Sequence, residues 1–476
     1  MSDLLKHAYD PDLFAREGHE VINLLHSYLE EVATLDKVYS SVDPEEEYRF
    51  WKRQWDEPAN TSYPEVIRLL LERSIHLHHP HYIGHQVSPV APVSALGGLL
   101  SDFMNNGMGI YEMGGPASVI ESIIIEWVSE KIGYGAQRGG FLTSGGSLAN
   151  LTALLVARTA KRTRDNEPLG ILVSAESHYS VDRSVRILDM IPVPVPVNSK
   201  LQIDPSRLEA SYREAMEKGI RIIGLVGNAC TTATGTYDDL NQLADFCESK
   251  NLWLHIDGAH GAAVIFAPKY RHLIRGMERA DSVSMDFHKM LMIPALCTAL
   301  AFKRPLDSYR TYIQDAQYLF ENGGEEWFNV AKRSIECTKY MMGVKVFLLR
   351  QQFGDMLFTD FVTRLYDLGH EFEALIREFP DLEMGHEPES NIVCFRFHPA
   401  DVPVTDLDLL NQQIRKAIIR EGSFYIVQTK IRGIQYLRCT IMNPFTTSED
   451  LESLLSEVIQ VGKQSISRSP LTQNNL

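Results

Sequence analysis

Between residues 170 and 302, short apolar runs alternate with stretches of helical periodicity, and this alternation restricts the fold more than any other feature of the chain. The runs lie at 170–173, 222–226, 252–256, 282–285 and 297–302, and helices fit 149–160, 204–218 and 238–249. Short, mostly apolar runs separated by helices predict an α/β domain with a mostly parallel sheet covered by helices. Sheets of this kind bind ligands at the carboxyl ends of their strands. Polar residues at those ends are therefore the first candidates for chemistry.

The flanking regions read differently. Residues 14–35 carry apolar side chains at helical spacing (Val21, Leu24, Leu25, Tyr28, Leu29, Val32), and 63–76 carries a second set. Residues 1–75 are thus expected as a helical arm that packs on another surface, such as a second subunit. Residues 76–345 form the large domain, with a helix near 327–352 at its end. Residues 346–476 form a small α+β domain, with strands at 392–397, 424–429 and 436–440 and helices at 407–420 and 448–462.

A net charge of −16 speaks against nucleic acid and anionic membrane as partners. No apolar run is long enough to span a bilayer, and the first residues lack the form of a secretory signal. Six scattered cysteines without a C-x-x-C pair suit reduced thiols in a cytoplasmic protein.

Four elements carry the candidate chemistry. Thr143-Ser144-Gly145-Gly146-Ser147 precedes a helix, and glycine-exposed amides with two serine hydroxyls suit a phosphate. His178 follows a short strand and offers a flat ring for stacking. Asp257 ends the 252–256 run. Lys289 follows His288 and the 282–285 run, 32 residues beyond Asp257. A lysine amine that forms a Schiff base with an aldehyde, together with a carboxylate that keeps a pyridine nitrogen protonated, is what pyridoxal 5'-phosphate requires. An apolar setting is expected to favour the free amine of Lys289. Each element alone has an ordinary alternative: a helix cap, a hydrogen-bonded histidine, a turn aspartate, a surface lysine. Thr231 and Thr232 read equally as ring contacts and as turn hydroxyls. The order and strand-end placement of the set favour the cofactor reading.

At these residues the chain resembles the group II pyridoxal-phosphate-dependent amino acid decarboxylases. The resemblance rests on His79-Pro80, Thr143–Ser147, His178, Asp257-Gly258-Ala259-His260 and His288-Lys289. It implies the type I, aspartate aminotransferase-like fold of PLP-dependent transferases and a homodimer acting on a small L-amino acid. It further implies that Lys289 holds the cofactor, Asp257 pairs with the pyridine nitrogen, His178 stacks on the ring and Ala259 packs on its other face. Gly146, Ser147 and His288 would contact the phosphate; Ser144 and Gly145 join them from the reading of the loop, and Thr231 stays a candidate ring contact. His85 and Tyr82 would meet the substrate, with His81, Gln86 and Phe103 as further candidates for the pocket. That stretch holds no arginine, which disfavours an acidic substrate.

One departure bears on the product. Relatives commonly supply the Cα proton from a tyrosine on a loop after the lysine segment. Here no tyrosine occurs between Leu319 and Lys339, and Phe328 stands in its place. Gly323-Gly324 fits a flexible lid. His178 and Tyr312 are the other candidate donors. The alternative outcome is oxidative deamination to an aldehyde. A catalytically silent relative, a cysteine desulfurase and a nicotinamide-binding protein are disfavoured. The first is opposed by the intact Asp257, His178 and Lys289. The second lacks a cysteine in a Gly/Ser-rich loop, and the third lacks a G-x-G-x-x-G.

Overall fold

In the computed structural model, residues 1–57, 61–135, 139–164, 167–312 and 326–468 are described. They fall into two compact units, one of residues 86–373 and 386–394, the other of residues 1–85, 374–385 and 395–476.

The first unit holds a seven-stranded sheet: β1 Gly140–Thr143, β2 Leu169–Ser174, β3 Ile191–Val195, β4 Arg221–Asn228, β5 Trp253–Asp257, β6 Ser282–Asp286 and β7 Thr298–Phe302. Its order is β1-β7-β6-β5-β4-β2-β3, and only β7 runs against the others. Residues of β2, β5, β6 and β7 are buried without interruption, as strands covered on both faces must be. The five apolar runs of the sequence became strands, and the three helices formed at Gly146–Lys161, Pro205–Glu217 and Leu240–Lys250. Ala149, Ala153, Val156 and Ala157 form the buried stripe of the helix Gly146–Lys161, and they pack on Phe141, Trp253, Leu300 and Phe302. Small side chains at that stripe let the helix lie close to the sheet.

Two strands are not evident from the sequence. β1 is only four residues long. β3 reads Ile-Pro-Val-Pro-Val, and it survives because it is an edge strand with a single ladder to maintain.

The expected helix near 327–352 is corrected. A regular helix spans only Gly343–Phe353, and residues 326–342 are irregular apart from a short turn at Val330–Lys332. The irregular path carries Lys339 into the interior, where it pairs with Glu121 and both side chains are fully buried. That pairing overrides local helical preference.

In the second unit, helices span Pro11–Glu31, Pro44–Asp56 and Tyr63–Arg73. A smaller sheet follows the order β10-β11-β9-β8, from β8 Leu382–Met384, β9 Ile392–Phe397, β10 Val427–Ile431 and β11 Ile434–Thr440; residues 392–394 of β9 are counted with the first unit. The strand expected at 424–429 begins only at Val427. Phe424 instead stacks on His81 with ring centroids 4.0 Å apart, and the Tyr425 carbonyl accepts from Ile83 N at 3.0 Å. All six cysteines are free thiols. Among the described residues no helix is long and apolar enough to cross a membrane.

Candidate active site

The sequence motifs meet at the carboxyl edge of the large sheet. Asp257 is the last residue of β5 and is 7% exposed. Its Oδ2 accepts from Asn150 Nδ2 at 2.8 Å and its Oδ1 from Ala259 N at 3.2 Å. Among the described residues no cation pairs with it. A buried carboxylate in that condition is costly unless a positive charge arrives from elsewhere.

Lys289 lies in the short helix Phe287–Met290 that follows β6. Its expected apolar isolation is not what the structure has. The side chain is 21% exposed and its Nζ lies 3.3 Å from Asp286 Oδ2, one turn earlier. Asp286 is itself buried and accepts from Thr298 Oγ1 at 2.5 Å, with His288 Nε2 at 3.5 Å. Residues three apart on a helical turn face the same way, so Asp286 was the readable signal here, and the sequence reading passed over it.

The glycine loop opens the helix Gly146–Lys161 with no side-chain cap, so its first amides are left for a ligand. Ser144 and Ser147 are both exposed. Gly145 takes φ +127°, which a side chain would strain. A Cβ on Gly146 would come within 3.2 Å of Ala259 Cβ and 3.3 Å of Asp286 Oδ1. The loop therefore lies directly against both the strand that bears Asp257 and the segment that bears Lys289.

His178 caps the next helix, Tyr179–Ile187. Its Nδ1 accepts from Ser180 N at 3.3 Å and bonds Ser180 Oγ at 2.7 Å. A backbone N–H can only donate, so a neutral His178 carries its proton on Nε2. Burial is the main cause that lowers its pKa; the Lys289 charge adds to it, and the carboxylates of Asp257 and Asp286 oppose it.

Thr231 is buried in its own turn, where its Oγ1 accepts from Thr236 N at 3.1 Å and bonds Thr234 Oγ1 at 2.9 Å. Tyr82 and His85 belong to the other unit, whereas Gln86 and Phe103 belong to the unit of the sheet. In their own unit, Tyr82 stacks on Tyr425 at 5.5 Å, and His85 feels burial first and then the charges of Arg438 and Arg415, all of which lower its pKa. Phe328 packs edge-on against Tyr111 at 5.6 Å. Tyr312 is described, and burial raises its pKa. Gly323 and Gly324, expected as a lid, lie outside the described residues.

These residues fit pyridoxal phosphate. Uncapped helix amides and exposed hydroxyls suit its phosphate, an amine suits its aldehyde, and a buried carboxylate lacking a cation suits its pyridinium.

Comparison with known proteins agrees. The chain is 28% identical over 423 residues to the L-2,4-diaminobutyrate decarboxylase of Acinetobacter baumannii, covering 84% of this chain and 83% of the relative. It is 29% identical over 416 residues to the aromatic-L-amino-acid decarboxylase of Bacillus atrophaeus, covering 84% and 86%. Its fold matches the crystal structure of mouse CSAD with a TM-score of 0.87 at 22% identity, over 95% of this chain and 99% of that one. The pyridoxal-dependent decarboxylase conserved domain matches residues 59–398, which is most of the chain. The chain belongs to the pyridoxal-dependent decarboxylase family and is a pyridoxal-phosphate-dependent amino acid decarboxylase.

Proposed function

We propose that the protein converts an L-amino acid to its amine and carbon dioxide as a cytoplasmic homodimer, with Lys289 as the residue that holds the cofactor. The observation that carries the assignment of roles is Asp257: buried, hydrogen-bonded on both oxygens and without a cation among the described residues. Bound at this edge, pyridoxal phosphate supplies a carbonyl for the substrate amine and a ring that accepts the electrons left at Cα.

The residues do the rest. Lys289 would hold the cofactor through its amine, and Asp286, 3.3 Å from Nζ, would orient that amine. Asp257 holds the positive charge at the ring nitrogen. His178, with its proton on Nε2, and Ala259 would hold the ring between them. Gly145, Gly146 and the hydroxyls of Ser144 and Ser147 bind the phosphate together with His288, and Thr231 borders the ring. Tyr82 and His85 select the substrate, and the relatives' diamino and aromatic substrates set the range to be tried. Residues 1–75 pack on the partner subunit as an arm, 76–345 form the cofactor domain and 346–476 the small domain. Exposed apolar side chains on the helix Pro11–Glu31 (Phe14, Ile22, Leu25, Leu29) support an arm of that kind.

The test is a product assay on protein loaded with pyridoxal phosphate, across aromatic, acidic and diamino L-amino acids. Amine and carbon dioxide without peroxide are expected for one of these classes. Aldehyde with peroxide would contradict simple decarboxylation and assign Phe328 a chemical role; Phe328→Tyr would then raise the proportion of amine.

A further inference from the structure

Asn150 lies on the helix Gly146–Lys161, one turn from the glycine loop, and is 1% exposed. Its Nδ2 donates to Asp257 Oδ2 at 2.8 Å and to Ser180 Oγ at 3.1 Å. Its Oδ1 accepts from His255 Nε2 at 3.0 Å and from Ser284 Oγ at 3.4 Å. Every hydrogen-bonding position of the carboxamide is thereby used.

The ends of this network fix its proton positions. Trp253 Nε1 can only donate, and it donates to Ser282 Oγ at 3.0 Å. The Asp257 carboxylate can only accept. Asn150 must therefore turn its amide nitrogen toward Asp257, and His255 must carry a proton on Nε2. Its Nδ1 is then the acceptor for the Ser282 hydroxyl at 2.9 Å. Burial lowers the His255 pKa to about 4, so the singly protonated ring that this direction requires is the stable one near neutrality. The second hydrogen of Asn150 Nδ2 goes to Ser180 Oγ, whose own proton points to His178 Nδ1 at 2.7 Å. One chain of donors thus ends on both Asp257 and His178.

We propose that Asn150 is a positioning residue for the reaction: its single carboxamide orients the Asp257 carboxylate and, through Ser180, fixes the His178 ring with its proton on Nε2. This rests on the reading that Asp257 faces the pyridine nitrogen and His178 the ring. Trp253, Ser282 and His255 hold Asn150 in the one orientation that serves both. Trp253, Ser282, His255, Asn150, Ser180 and Asp257 are all buried, so water has little access to replace a missing member between them.

The experiment measures the dissociation constant of pyridoxal phosphate and the pH profile of the bound cofactor's absorbance in Asn150→Leu, Asn150→Asp and Asp257→Asn enzymes. Asn150→Leu is expected to weaken cofactor binding about tenfold or more and to move the pH profile in the same direction as Asp257→Asn. Asn150→Asp sets a second carboxylate against Asp257. Its binding defect is expected at neutral pH and should recede toward acid as the pair takes up a proton, a reversal that a packing defect does not give. If Asn150→Leu fails to fold, the isosteric Asn150→Asp carries the test alone. Wild-type binding and pH profile in the folded Asn150 variants, with Asp257→Asn altered, would overturn the proposal alone. A wild-type Asp257→Asn would overturn the reading beneath it, and the proposal with it.

Discussion

Asp257, at the carboxyl edge of the large sheet, and Asp281, at its amino edge, are held in different ways. At the carboxyl edge, Asp257 has its oxygens bonded to neutral donors and no cation among the described residues. At the amino edge, Asp281 directly precedes β6; it accepts from Leu254 N at 2.9 Å and pairs with Arg304 Nη2 at 3.3 Å. The surroundings of Asp281 are matched as well: Arg279 bridges Asp245 and Glu248, each at 2.7 Å, and Arg304 reaches Asp307 at 2.8 Å. Around Asp281 the charges are neutralised within the chain. The Asp257 carboxylate has only neutral donors, which is the condition the proposed pyridinium partner would relieve.

The largest effect that sharpens this contrast is at lysine. Lys289→Ala is expected to lower turnover by on the order of 10^4-fold or more. Lys161→Ala, at the amino edge, should leave turnover within about a factor of two, because sites without shared partners act independently. Steady-state rates on the substrate found in the product assay check both.

The aspartates should divide in the same way. Asp257→Asn is expected to lower turnover by about 10²–10³-fold, the scale of a lost electrostatic contact at a reacting centre. Asp281→Asn should cost about 1–3 kcal/mol of stability by leaving Arg304 and the strand-start amide less well paired, with turnover intact. Denaturant unfolding and rates, measured on both variants, would break the comparison if the two effects were exchanged.

A smaller effect lies in pH. The His255 pKa falls from its ordinary 6.5 to about 4 on folding. Between those values the unfolded chain binds more protons, so stability is lost as pH falls through the window, by about 1.4 kcal/mol per unit at most. Asp238, raised to about 6 by burial, acts in the opposite sense but equally in wild type and variant. The stability advantage of wild type over His255→Gln should therefore shrink from pH 6.5 to 4. A constant difference in urea unfolding across that range would show that His255 is not held neutral.

The strand-end residues were readable because a parallel sheet leaves few places for polar groups, and Asp257, Lys289 and the glycine loop occupy them. His178 was readable by its place after a strand. What the sequence concealed was the layer beneath. Asn150 and His255 are polar residues on otherwise buried apolar faces, one on the helix stripe with Ala149 and Ala153, the other inside β5. Such a residue announces that it has partners, and only the fold shows that one of them is Asp257. The segment 326–342 misled for the same reason: its path is set by the burial of Lys339 against Glu121, more than two hundred residues away in sequence. β3 hid behind Pro192 and Pro194, which only an edge position tolerates.

The central claim is that Lys289 takes the cofactor at the carboxyl edge. Incubating the protein with pyridoxal phosphate, reducing it with borohydride and mapping the modified peptide by mass spectrometry tests this directly. The cofactor's mass is predicted on the peptide containing Lys289; modification of another lysine, or none, would contradict the account.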